Sequence, residues 1–247
     1  MNLIFFDTET TGNTSEDVLC ELAYAKISLE NSSKSKDLDI FCKLYNPKRP
    51  IPPEASAVHH ISNKMVSDKE AFKESLEYGE IKKMFESKEN IPVAHNAKFD
   101  IGMLLKEDIK IDRFICTLRL VRFLDQENKI PRYNLQYLRY FLDMDIDATA
   151  HDAKGDVLVL ENLFSRLLKK FVEKNNGDME KAIEEMIEVS SHPSLLHTIP
   201  FGKYSGKKVS DIAQDDPDYL RWLLAQKEAS EADEEDWIYT LKHYLEK

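Results

Sequence analysis

Cysteine is scarce in this chain of 247 residues, and what there is stands apart. Cys20, Cys42 and Cys116 are scattered and form no metal-type pair, which fits a reduced, cytoplasmic setting and argues against a disulfide framework. Long hydrophobic runs are missing as well. No stretch approaches membrane-spanning length, so no membrane partner is expected. The amino terminus carries no basic region ahead of its short apolar run, which ends in charges, and a secretion signal is therefore not expected. Positive charge is also in deficit. A formal net charge of -11 argues against a general basic surface for duplex nucleic acid. It leaves room for an enzyme that grips a few phosphates locally through metals. No internal repeat is present.

What is there suits a folded protein. Hydrophobic residues make up 42% of the chain, enough for an ordinary core and too many for a disordered segment. The length predicts one large or two unequal domains. Much of the acid falls in one late run from Glu228 to Asp236, read as a solvated loop and helix start.

Leu3-Ile4-Phe5-Phe6 reads as a buried strand, and Val18 to Leu29 and Leu38 to Leu44 as two more, separated by the polar segment Asn31 to Lys36. Together they predict an antiparallel meander. Ile91 to Ala94 and Ile115 to Thr117 are short strands. Helical patterns follow at Leu118 to Leu124 and Leu135 to Leu142, and the longest runs from Asp152 to Phe171. Strands first, then strand-helix alternation, predict an α/β domain over residues 1–174. A helical linker over 175–192 and a small α+β module over 193–247 complete the expected organisation. In that module Phe201 to Lys208 reads as a glycine-punctuated hairpin, and Asp216-Pro217 opens a helix.

The first strand runs into Asp7-Thr8-Glu9-Thr10-Thr11-Gly12. Alternation puts Asp7 and Glu9 on one face with Phe5. Two carboxylates side by side at the end of a core strand repel and lose hydration, so one is protonated, basic groups pair with them or a divalent cation sits between them. No Lys or Arg lies nearby in sequence, which favours the cation, and a strand end that has run out into solvent is the alternative. Asp100, in a helix predicted to start near Ala97, shares a face with Met103 and Leu104. Asp156 heads the stripe Leu160, Leu163 and Leu167. Asp152 is placed to cap that helix. Four carboxylates facing inward near element ends predict a shared cluster, which multivalent cations make tolerable. All-oxygen ligands favour two Mg²⁺ or Mn²⁺ ions and in-line displacement at phosphorus. His151, five residues ahead of Asp156, is placed to take a proton from the attacking water; a surface or capping role is the alternative. Asp143-x-Asp145-x-Asp147 opens like a calcium loop, but Ala148 and Lys154 stand where such a loop needs Gly and Glu.

Asp-x-Glu-Thr-Thr-Gly, the His95-Asn96-Ala97-x-Phe99-Asp100 segment, and His151 with Asp156 resemble the three motifs of the DEDDh 3'-5' exonuclease superfamily, which includes the proofreading subunit of bacterial replicative polymerase. Phe201-Gly202-Lys203-Tyr204-x-Gly206-Lys207 through Asp216-Pro217-x-Tyr219-Leu220-Arg221-Trp222-Leu223 is similar to the C-terminal module of its exodeoxyribonuclease X branch. The resemblance implies a ribonuclease H-like mixed sheet flanked by helices. It implies metal ligands at Asp7, Glu9, Asp100 and Asp156, His151 as general base, and release of nucleoside 5'-monophosphates from DNA 3' ends in repair or proofreading. Thr8, Thr10, His59, Asn96 and Phe99 would hold the terminal nucleotide. A polymerase or repair complex is the implied partner. Asn13 stands where relatives commonly carry an apolar residue able to wedge a terminal base pair, which points to single-stranded or frayed ends. Trimming of RNA 3' ends, and a non-catalytic module binding nucleic-acid ends or a polymerase, are the rival readings.

Arg119, Arg122, Arg132 and Arg139, with Lys203, Lys207 and Lys208 in the tail, are interleaved with Tyr133, Tyr137 and Tyr204. They make either a track for a DNA strand or an ordinary solvated face. Tyr219, Trp222, Trp237 and Tyr244 are read as core.

Overall fold

Strand β1 (Asn2–Thr10) is apolar on both faces up to Phe6, so it must be covered on both sides. Ile4 and Phe6 enter one cluster, where Phe6 meets Phe85 edge-on with centroids 5.0 Å apart. Phe5 faces the other way and meets Phe164 at 5.1 Å. The computed structural model describes residues 1–29, 38–146, 153–230 and 234–246. In it β1 is the centre of a five-stranded mixed sheet of order β3-β2-β1-β4-β5. Strands β2 (Leu19–Ser28) and β3 (Phe41–Leu44) form the expected antiparallel meander with it. Strands β4 (Asn90–Ala94) and β5 (Ile115–Cys116) lie parallel to it on the other side. The expected polar segment Asn31 to Lys36 lies outside the described residues.

Helices α1 (Pro53–His59), α2 (Asn63–Val66) and α3 (Tyr78–Glu86) follow β3. Next come α4 (Ala97–Lys106), α5 (Thr117–Leu124), α6 (Leu135–Phe141), α7 (Ala153–Lys174) and α8 (Met179–Ser191). The ribonuclease H-like arrangement is therefore present, with α7 laid across β1 and β2 by its stripe Val157, Leu160, Phe164, Leu167 and Phe171. Helices α1 to α3 are absent from the sequence reading. Two of them are too short, at 7 and 4 residues, to show a period.

The chain divides into two compact units, residues 1–118 with 134–191, and 119–133 with 192–247. This differs from the expected organisation in two ways. The linker expected over 175–192 is a packed helix of the first unit, because α8 buries Ala182, Ile183 and Met186 on one stripe and Ser190 Oγ accepts the Cys116 N–H at 2.8 Å. The second unit also takes in 119–133, where no boundary was expected.

In the second unit α9 (Val209–Asp215), α10 (Pro217–Glu228) and α11 (Glu235–Leu245) close on Ile199, Val209, Ile212, Leu220, Leu223 and Leu241. The Asp216 side chain caps α10 by accepting from the Tyr219 N–H at 3.2 Å, with Pro217 at its first position. In place of the expected hairpin, a single antiparallel bridge joins Thr198 to Lys208 around a 3₁₀ turn at Gly202–Tyr204. Positive φ at Gly202 (65°) and Gly206 (80°) lets the loop turn that tightly. Two expectations fail here. Arg119 is 6% exposed and paired with Glu235, and Arg122 pairs with Asp236, so these arginines hold α11 and do not form a track for DNA. Trp222 is 56% exposed, not core.

Among the described residues no helix is long and apolar enough to cross a membrane. Because Phe164 fixes the helix that carries Asp156 against β1, Phe164→Ala is expected to cost about 3–5 kcal/mol in urea unfolding.

Candidate active site

Strand alternation and a long helix bring the first three acids together. Asp7 and Glu9 leave β1 on the Phe5 side, towards the first turn of α7, where Asp156 stands. One carboxylate oxygen from each of Asp7, Glu9 and Asp156 lies within 4.8 Å of the others. Asp7 and Glu9 keep some exposure, while Asp156 is 8% exposed. Asp100 is buried in the first turn of α4 and is bonded to Thr8, between Asp7 and Glu9 in β1. Its Oδ1 accepts from Thr8 Oγ1 at 2.7 Å and from the Thr8 N–H at 3.1 Å. It still acts on Asp7 more strongly than any other charge does.

The electrostatics follow from this crowding. Burial, then repulsion from Asp100, Glu9, Asp156 and Glu21, pushes the Asp7 carboxyl well above the usual carboxylate range. Burial also raises Asp100, to about 7, against the two hydrogen bonds from Thr8 that favour its ionised form. Among the described residues, the charges that act most on Asp7 are all acids. A site of this kind, all oxygen and with negative charge in excess, fits a divalent cation held by Asp7, Glu9 and Asp156, with Asp100 beside them.

Two further residues belong to this cluster and were missed in the sequence. Glu21 lies directly across the β1–β2 ladder from Glu9 and is buried. Only the strand register could have revealed it. Gln136, in the first turn of α6, donates from Nε2 to Asp156 Oδ1, and its Oε1 accepts from Arg139 Nη1 at 3.4 Å. Arg139 Nη2 donates to the Ile146 carbonyl. Arg139, read as part of either a DNA track or a solvated face, is instead buried and orients Gln136. No periodicity marks either residue.

A cleft of about 540 Å³ opens beside Glu9, with walls from Thr8, Thr10, Asn13, Val58, His59 and Phe99. Four of the five residues expected to hold the terminal nucleotide thus line one cavity. His59 is fixed within it: Nδ1 accepts the Ile61 N–H at 3.0 Å, so Nε2 carries the proton and donates to the Thr10 carbonyl at 3.2 Å. Burial lowers its pKa and keeps the ring neutral. The Thr8 N–H is engaged by Asp100. Asn96, the fifth, is exposed in the left-handed conformation (φ 64°, ψ 44°) that turns the end of β4 into α4. His151 and Asp152 lie outside the described residues.

The rim of the cleft is set by Asp17. Its carboxylate accepts from Thr11 Oγ1 at 2.8 Å, Thr14 Oγ1 at 2.7 Å and the Thr14 N–H at 2.9 Å. Burial works against the charge, but the bonds from Thr14 and Thr11 win and hold the pKa below the usual range. A Cβ on Gly12 would lie 2.5 Å from Asp17 Oδ2, which is why glycine stands there.

Comparison with known proteins bears on this arrangement. The model of the family described as Exonuclease matches residues 4–164, and that of the Exodeoxyribonuclease X-like C-terminal family matches residues 199–228. This chain belongs to the exonuclease family. Members of that family depend on divalent metal, in keeping with the acid cluster. Exodeoxyribonuclease 10 of Escherichia coli K12 is 30% identical over 245 residues, covering 99% of each chain. The DNA polymerase III subunit epsilon of Treponema pallidum is 27% identical over 194 residues, 74% of this exonuclease and 86% of the relative. Among solved structures, an exonuclease X in complex with 5' overhanging duplex DNA aligns with TM-score 0.57 and 24% identity over 76% of this exonuclease and 99% of that chain. E. coli exonuclease I in complex with a dT13 oligonucleotide aligns with TM-score 0.53 and 17% identity, over 68% and 41% of the two chains. These two structural likenesses bear on the fold alone.

The crowding predicts an unusual pH dependence for the metal-free protein. Well below pH 4 Asp7 is protonated in both folded and unfolded chains and costs nothing. As pH rises the unfolded chain ionises first, so stability falls with rising pH until the folded group ionises too. Asp7→Asn removes that loss. In chelator near pH 8 it is expected to raise the melting temperature, each kcal/mol recovered being worth about 2–4 °C. The gain should shrink as the pH falls and vanish below about pH 3 in calorimetric scans.

Proposed function

We propose that this exonuclease is a 3'-5' exodeoxyribonuclease, which removes nucleoside 5'-monophosphates from single-stranded or frayed DNA 3' ends in repair or proofreading. The observation that carries the reading is the convergence of Asp7, Glu9 and Asp156, with Glu9 also standing in the wall of a nucleotide-sized cleft. The E. coli and T. pallidum relatives, by name an exodeoxyribonuclease and a DNA polymerase subunit, support the DNA substrate.

Asp7, Glu9, Asp156 and Asp100 would hold two Mg²⁺ or Mn²⁺ ions. Bound there, the ions would activate water for attack at phosphorus and stabilise the leaving 3' oxygen. The side chains do the rest. Gln136 orients Asp156, and Thr8 orients Asp100. Val58 and Phe99 offer apolar walls to a terminal base. His59, tied to the Thr10 carbonyl, fixes the loop after α1 against the end of β1 and so sets the width of the cleft. His151, two residues ahead of α7 in sequence, takes the proton from the attacking water. Asn13 at the rim supplies no apolar wedge, so paired ends are poor substrates. A cytoplasmic setting and a polymerase or repair complex as partner go with this reading.

The test is hydrolysis of 3'-labelled single-stranded DNA, with RNA of the same sequence in competition. Stepwise release of 5'-mononucleotides in Mg²⁺ or Mn²⁺, lowered roughly 10³-fold or more by Asp7→Asn, Asp156→Asn or His151→Ala, is expected. Activity retained in Asp7→Asn and Asp156→Asn would refute the assignment. Preference for RNA would move it to an exoribonuclease, and binding without turnover to a non-catalytic module.

A further inference from the structure

Most of the cations in the second unit are paired internally. Arg119 and Arg122 meet Glu235 and Asp236, Lys227 meets Glu234, Lys242 meets Glu228, and Arg221 meets Asp218. Lys207 and Lys208 differ. They are adjacent, exposed, and meet no carboxylate among the described residues. Both lie on the loop closed by the Thr198–Lys208 bridge, where the Gly206 N–H donates to the Ile199 carbonyl at 2.7 Å and the Ile199 N–H to the Lys207 carbonyl at 3.0 Å. The ammonium groups therefore project from a braced backbone.

The rings beside them form a continuous ladder. Lys207 Nζ lies 5.5 Å from the Tyr204 centroid, Tyr204 stands 4.8 Å from Tyr219, and Tyr219 stands 5.6 Å from Trp222. Lys203 sits over both tyrosines, at 4.7 and 5.0 Å, and its charge is met by Asp216, which also accepts from Tyr204 Oη at 2.7 Å. The ladder starts at unpaired cations and ends on Trp222, more than half exposed at the edge of a core that closes without it.

We propose that this face, Lys207 and Lys208 with Tyr204 and Trp222, binds single-stranded DNA without regard to sequence and holds the strand whose 3' end is being removed. The phosphates meet the two lysines and an unstacked base lies on Trp222. Single-stranded nucleic acid offers both a run of negative charge and open aromatic faces. An acidic peptide offers the first alone, and a duplex hides the second. The inference rests on the exonuclease reading for its strand, but its test does not need catalysis.

Binding of a labelled oligothymidylate of about 30 nucleotides to the full chain, in chelator so that no hydrolysis intervenes, is followed by fluorescence anisotropy. Trp222→Ala is expected to weaken binding by about 5–150-fold, with Trp222→Phe largely restoring it. The double variant Lys207→Ala/Lys208→Ala should lower the slope of log affinity against log salt by about 1.4. Unchanged melting temperatures show that the fold is intact. Affinity and salt slope equal to wild type in both variants would overturn the proposal, as would polyglutamate competing as well as DNA. If the tail variants lose binding while no form of the protein hydrolyses DNA, the exonuclease reading fails and this one stands. If the wild type hydrolyses DNA and tail variants bind and degrade long strands normally, the reverse holds.

Discussion

Asp7 is repelled by four other acids, and the rest of the first unit can be understood as the frame that keeps them there. A carboxylate at the end of a strand covered on both faces has little water to turn to. Glu9 shares its face, Glu21 faces Glu9 across the ladder, and helices α4 and α7 each bring an aspartate in from their first turn. The frame can bear this because it is braced elsewhere, by Phe6 on Phe85 on one side of the sheet and Phe5 on Phe164 on the other. Folding energy from the apolar half of β1 offsets the cost of its acidic half.

The same crowding divides labour among the acids. Asp7, Glu9 and Asp156 turn their oxygens toward one point, whereas Asp100 is held by Thr8 and exerts its effect on Asp7 through charge. Gln136 and Arg139 link Asp156 to the Ile146 carbonyl, so the helix-borne acid and the chain after α6 are tied by one set of bonds.

Much of this was legible in the sequence. Period two placed Asp7 and Glu9 together, period 3.6 turned Asp100 and Asp156 inward, and the order of strands gave the meander. What was not legible depended on register, short elements or pairing. Glu21 needs the ladder, and α1 and α2 are too short to show a period. Arg119, Arg122 and Arg139 looked like surface cations because a sequence does not say which arginines meet an acid in the fold. Trp222 was misread because α10 buries its stripe through Leu220 and Leu223 and leaves the intervening ring outside. The exposed tryptophan and its neighbouring lysines give the second unit a face of its own.

A divalent ion should relieve what the acids impose, and thermal unfolding of metal-free protein titrated with MnCl₂ near pH 7.5 measures that relief directly. A saturable rise in melting temperature is predicted, set by a stabilisation of about 2.7 kcal/mol at a hundred times the dissociation constant, and lost in Asp7→Asn. A melting temperature indifferent to manganese, or one that rises equally in Asp7→Asn, would contradict the account.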